Sequence, residues 1–312
     1  MTTPSPAPYK ALVLPAFLTT VLFSVSAVCG NRTAKLLGGT EANFWRLCFA
    51  ATLLAVYAHG YDGGLAGSAF PLFLVSGCVG FGVGDMALFQ ALPRLGSRLS
   101  VMLTLCLSSP LAALAEWWWL RTELTQAEVI SGLVILGGVA LALAPGTQPG
   151  LVRKELPAGL VFGLLASLCQ ALGAVLSRKA FTVAKLAGES IDGMTAAYQR
   201  ILGGVAVSAL FLLLPRVVPA SASVGNARRW GAAWPWVLLN GLAGPALGVS
   251  CYQWALKTTP TGIVLPIVAM TPLVIIPFSY HLEGERPTFR SLAGSAVAVV
   301  GAAALAWVTN HP

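Results

Sequence analysis

The chain has 312 residues, 56% of them hydrophobic and only 10% charged, whereas a soluble domain carries about 25% charged residues. So few charges cannot cover a water-facing surface, which excludes a soluble globular protein and indicates an integral membrane protein. The net charge is +8, but Lys and Arg are scattered over short connections and form no stripe, so they read as loop and interface charges rather than a nucleic-acid surface.

The N-terminal "MTTPSPAPYK" is a short polar tail. The apolar run behind it has the look of a signal peptide, but a repeat described below needs it as a first span. A helix crosses the hydrocarbon core with about 20 apolar residues. Ten stretches qualify: 11–36, 42–59, 69–92, 97–120, 127–145, 157–180, 193–215, 232–256, 260–281 and 289–308. They are too long and too uniformly apolar to be barrel strands. The expected architecture is an all-α membrane protein of ten transmembrane helices. The connection 146–156 divides it into halves 1–145 and 157–312. Trp117, Trp118 and Trp119, and Trp230, Trp234 and Trp236, sit at span ends and fit interfacial anchoring, with an aromatic substrate cage as the alternative. The six cysteines lie singly inside apolar segments, so no disulfide framework or metal site is expected. With ten spans both termini share a side, and the Lys and Arg count in the connections favours the outside.

The halves repeat each other. "GFGVGDMALFQAL" (80–92) aligns with "GPALGVSCYQWAL" (244–256), matching Gly80, Gly84, Ala91 and Leu92 to Gly244, Gly248, Ala255 and Leu256. Gly77 matches Gly241 at the same offset. Pro110 and Glu123 are spaced like Pro272 and Glu285, and "FWR" (44–46) meets "YQR" (198–200). Each half has an odd number of spans, so the second enters the membrane from the opposite side. Inverted repeats of this kind suit alternating access around a central site with broken helices beside it.

These residues resemble the drug/metabolite transporter superfamily, in its EamA-type branch of ten-helix carriers. The carrying features are the aromatic-x-Arg of the second span, the Gly-rich third span ending Ala-Leu, the "SSP" or "TP" of the fourth, and "ELT" or "ERPT" before a Gly-rich fifth. The resemblance covers essentially the whole chain. It implies a pseudo-symmetric bundle around a central cavity that moves small organic solutes, often outward, across the cell (inner) membrane, with both termini cytoplasmic.

Ionisable groups inside spans are functional candidates. Asp85 is the deepest, and its counterpart in the second half is Val249. It suits a site alternating between protonated and charged states, or one holding a cationic group; the alternative is a fixed ion pair or hydrogen bonds to backbone loosened around the glycines. Arg46 and Arg200 are matched, and either binds a carboxylate, pairs with Asp85, or snorkels to the headgroups. Glu116 precedes the Trp triplet and is a weaker candidate. Glu123 and Glu285 read as helix-start carboxylates. Tyr252, Gln253 and Trp254 offer stacking and hydrogen bonds, and Gln170 adds an amide. Asn31 and Arg32 are polar groups at the end of the first span. Pro110 and Pro272 are expected to kink their spans, beside Ser108, Ser109 and Thr271, and the glycines, Gly84 and Gly248 among them, to allow close helix approach and gating.

No Walker motif occurs, so ATP is not expected to drive the chain. Neither H-E-x-x-H nor G-x-S-x-G occurs, and the three histidines are far apart, so an enzyme acting on lipid is the least favoured alternative. A non-transporting scaffold or receptor is the other. The expected partners are a small-molecule substrate and membrane lipids, with no cofactor, metal or nucleic acid, and a monomer suffices.

Overall fold

The computed structural model describes residues 9–61, 64–120, 125–143, 155–213, 226–258, 261–284 and 286–310. Among them the structure is helical, without strands. The first half contains α1 (Tyr9–Leu37), α2 (Gly39–Tyr61), α3 (Phe70–Gly77), a π-helical segment π1 (Cys78–Gly84), α4 (Asp85–Leu120) and α5 (Gln126–Leu143). The second contains α6 (Leu156–Leu186), α7 (Gly193–Leu213), α8 (Asn226–Gly241), a second π-helical segment π2 (Leu242–Gly248), α9 (Val249–Thr258), α10 (Thr261–Val268), α11 (Thr271–Glu283) and α12 (Phe289–Asn310).

With α10 and α11 counted as one, the helices form nine tracts among the described residues rather than ten. The expected third and fourth spans join in one tract, 70–120, because their connection shrinks to a single residue. Gly96 alone leaves helical geometry there, at φ 80° and ψ 165°. That conformation is closed to a residue with a side chain, so glycine sets the break. The expected ninth span is α10 and α11 in series, interrupted at Ala269 and Met270. Pro272 stands in the first turn of α11, where its missing N–H costs nothing. It restarts a helix there rather than kinking one. The linker residues 146–154, and Glu123 and Glu285, lie outside the described residues.

Among the described residues four stretches are long and apolar enough to cross a membrane: Leu14–Leu37, Phe70–Ala112, Leu156–Leu186 and Gly193–Leu213. Their outward faces show why. Leu14, Phe17, Leu18 and Val21 on α1, and Val161, Leu164, Leu165 and Leu168 on α6, are exposed at the i, i+3, i+4, i+7 spacing of one helical stripe. Apolar faces this extensive suit hydrocarbon, not water. The inward faces of the same helices bury Thr19, Thr20, Ser24 and Ser167.

The packing between halves is reciprocal. α2 lies against α7, and α5 against α12. α6 packs on π1 and α4, while α1 packs on π2, α9 and α11. Glycines set the distance: a Cβ on Gly77 would strike the carbonyl oxygen of Arg200, and one on Gly241 would come within 2.9 Å of the carbonyl oxygen of Arg46. Each half therefore lays its second helix directly on the other half's Gly-rich helix, as close helix approach in membranes requires.

Candidate functional site

The "GFGVGD" and "GPALGV" copies become π1 and π2, seven residues each, at identical places in the repeat. A π-helical segment widens the helix by one residue per turn and recurs at functional sites. Here each one brings a glycine under the arginine of the other half. Gly80 leaves room for the Arg200 guanidinium, whose Nη2 would lie 2.9 Å from a Cβ there. Gly244 does the same for Arg46, with Nη1 at 3.2 Å. Both arginines thus reach the middle of the bundle, only 5% and 3% exposed. Neither snorkels to the headgroups.

Between the halves lies a cavity with about 80 Å³ open to the centres of water-sized molecules. One water needs roughly 10–15 Å³ on that measure, so the space suits about five to eight water-sized positions, or a compact solute. Asp85, Arg46, Arg200, Tyr252, Gln170 and Gly84, all singled out in the sequence, line it. Apolar walls come from Phe23, Phe81, Leu88, Phe89, Leu92, Leu105 and Val249. A few polar groups among apolar walls is the usual composition of a small-molecule site.

Asp85 opens α4 immediately after π1 and forms an ion pair with Arg46, from Nη2 to Oδ2. Asn43 Oδ1 accepts from Arg46 Nε at 3.0 Å, and the guanidinium lies 4.5 Å above the Phe89 ring. Arg46 is thereby fixed by a charge, an amide and a ring face. The Asp85 side chain keeps 18% exposure, and it borders the cavity.

Arg200 is held differently. With the Gln253 amide turned so that its oxygen faces the guanidinium, that oxygen accepts from Arg200 Nε at 3.2 Å, from Nη1, and from Ser177 Oγ at 3.3 Å. The guanidinium lies 5.1 Å from the Phe81 ring. Tyr252 is 1% exposed; its hydroxyl sits beside Gln170 but has no partner at bonding geometry. Thr104 Oγ1, also on the cavity wall, is unpartnered too.

Other sequence candidates fall elsewhere. Gln253 supports Arg200 from behind the wall. Trp254 is 49% exposed and borders no part of the cavity. Gly248 closes π2, where a Cβ would meet the carbonyl oxygen of Ala243 and the ring of Phe23. Pro110 packs toward α5, its Cβ 3.6 Å from the place a Cβ would take on Gly132, so it does not line the cavity. The side chain of Glu116 lies outside the described residues. Trp117 and Trp118 are exposed at the end of α4, and Trp230 stacks edgewise on Trp45 at 5.6 Å; none of these lines the cavity. Asn31 is buried and donates to Glu283 Oε1 at 2.7 Å, while Arg32 covers Trp236 at 4.5 Å.

Sequence reasoning missed Asn43 and Thr104. Asn43 is three residues before Arg46, on the same helical face, and that spacing was the available signal. Thr104 is an isolated hydroxyl in an apolar span and carries no signal by itself.

Comparison with known proteins agrees with the architecture. The profile of the EamA-like transporter family matches residues 11–144 and again 157–307. A protein of Streptantibioticus cattleyicolor named "Probable terminal-alkyne amino-acid exporter" is 30% identical over 114 residues. That match spans 35% of this chain and 37% of the relative, little more than a third of either. One solved crystal structure superimposes over 97% of this chain and 99% of its own, at TM-score 0.66 and 18% identity, which shows a shared fold.

Proposed function

Because the chain belongs to the EamA-like transporter family, we propose that it is a secondary carrier that exports small organic metabolites of amino-acid size across the cell membrane by alternating access. The observation that carries this is the cavity between the two halves, lined by Asp85, Arg46 and Arg200. Charged groups so far inside an apolar bundle are costly, and a solute path is their usual reason. The relative named as an amino-acid exporter supports a solute of that size, as does the limited cavity volume.

In this reading ten helical segments cross the membrane, 70–95 and 97–120 counting separately across Gly96. The halves insert with inverted topology, and the cavity lies near the midplane where the two π-helical segments face each other. Rocking of one half against the other opens it to each side in turn.

Reconstitution tests the function. Liposomes containing the purified protein and preloaded with unlabelled amino acids should take up the labelled amino acid by counterflow, well above empty liposomes. Uptake indistinguishable from empty liposomes across an amino-acid and small-metabolite panel would contradict the reading.

A further inference from the structure

The ionised side chains of the cavity do not balance. Arg46 and Arg200 bring two positive charges and Asp85 one negative. Arg46 takes the carboxylate. Among the described residues no carboxylate lies within ion-pair distance of Arg200, although it is 3% exposed. Its held side is satisfied by the Gln253 oxygen. Its Nη2 lies between two glycines, 2.9 Å from where a Cβ on Gly80 would sit and 3.2 Å from one on Gly173, and among the described residues no side chain or carbonyl accepts from it. The Tyr252 hydroxyl, buried and unpartnered, shares the same cavity.

The cause is legible in the repeat. Asp85 stands where the second half has Val249, and Val249 borders the cavity as well. The half without the acid is the half whose arginine has no carboxylate in ion-pair contact. Asp85 acts on Arg200 only through space and is already paired with Arg46, so part of the cost of burying the Arg200 guanidinium stays uncompensated, and an incoming anion offsets it. The planar fork of arginine matches a carboxylate better than a point charge would.

The geometry points to Arg200 as the docking group for a carboxylate of the transported solute, with the Tyr252 hydroxyl as a further hydrogen-bonding group, so that the substrates are compact carboxylic acids, free amino acids included, and not their amides or esters. This rests on the cavity being the solute site. It assigns Asp85 to Arg46 and leaves the excess positive charge to the substrate.

The test is binding by the purified full-length protein, followed as solute-dependent thermal stabilisation. The probes are free amino acids, each beside its amide and methyl ester, with sodium chloride as the inorganic control. At least one free acid should stabilise the protein, and its amide and ester should bind about 10- to 100-fold more weakly, the loss expected for one charge-assisted hydrogen-bonded pair. Arg200→Gln should abolish the preference for the acid. Val249→Asp supplies an internal carboxylate at the sister position of Asp85, and it should weaken acid binding by a similar factor, while Val249→Asn should not. Equal binding of acid, amide and ester overturns the carboxylate assignment but leaves the solute site standing. So does an acid preference that survives both Arg200→Gln and Val249→Asp, or stabilisation that chloride alone reproduces. Stabilisation by no probe, together with no counterflow, overturns both the assignment and the transport reading.

Discussion

At the scale of single residues, the Arg46–Asp85 pair decides what substitution does. Removing one partner of a buried pair typically costs about 3–5 kcal/mol, because the other charge is left uncompensated. Asp85→Asn strands the Arg46 guanidinium, whose side chain is only 6% exposed, so the cost should fall within that range, lowering the melting temperature in detergent and reducing transport. The double variant Arg46→Gln/Asp85→Asn should be less destabilised than the sum of the two single variants, since no charge is then stranded. Strict additivity in that cycle would show that the pair does not couple. Asp85, Arg46 and Arg200 were all legible as candidates, because an ionisable residue in an apolar run announces itself. Which arginine takes the acid was not legible from the matched pattern, since the repeat aligns Arg46 with Arg200, and the one local difference, Asn43 where the second half has Ala197, does not by itself place the acid. That choice follows from the three-dimensional placement of Asn43, Phe89 and Gln253. Trp254 shows the converse limit: it follows two inward residues in the chain, and the rotation of α9 turns it outward.

At the scale of elements, the π-helical segments are the feature the sequence only half disclosed. Matched glycines in "GFGVGD" and "GPALGV" marked a shared structural need. They did not reveal a π-helix, because its reason lies on the opposite half: a second helix pressed against Gly77 or Gly241, and a guanidinium over Gly80 or Gly244. The two contacts differ in tightness. A Cβ on Gly77 would run into the Arg200 carbonyl outright, whereas one on Gly241 would lie 2.9 Å from the Arg46 carbonyl oxygen, a milder overlap. Gly77→Ala should therefore destabilise the protein more than Gly241→Ala, with overpacking costs of about 1–3 kcal/mol setting the scale for the milder variant. Detergent melting curves for the two variants check the order, and a Gly77→Ala protein as stable as Gly241→Ala would contradict it. Helical breaks were equally hard to place. The apolar run between 69 and 120 showed enough length for two spans, yet the single-residue connection at Gly96 depends on a backbone angle that composition does not encode. Toward the same end of the bundle, Glu283 accepts from Asn31 and from Ser97 Oγ, tying α11 to α1 and α4. Glu283→Ala should cost about 1–3 kcal/mol through the buried Asn31 amide it leaves unpaired, again read as a melting temperature. No change in melting would show that this tie is dispensable.

At the scale of the whole molecule, the arrangement is two similar bundles that grip each other through reciprocal contacts while enclosing an asymmetric cavity. Duplication explains the grip: the glycines and arginines recur in both halves. Divergence explains the cavity: the acid remains in one half and is a valine in the other. A carrier works when the same site faces each side of the membrane in turn, and the seam between the halves is where such motion would be taken up. Two-sided labelling of the cavity reads this motion out. A single cysteine at Thr104, on the cavity wall, in a protein whose six native cysteines are replaced, is exposed to a membrane-impermeant maleimide from one face of sealed liposomes and then, separately, from the other. Modification from both faces is expected, with transported solute slowing both reactions. Modification from one face only, whatever solute is present, would contradict it.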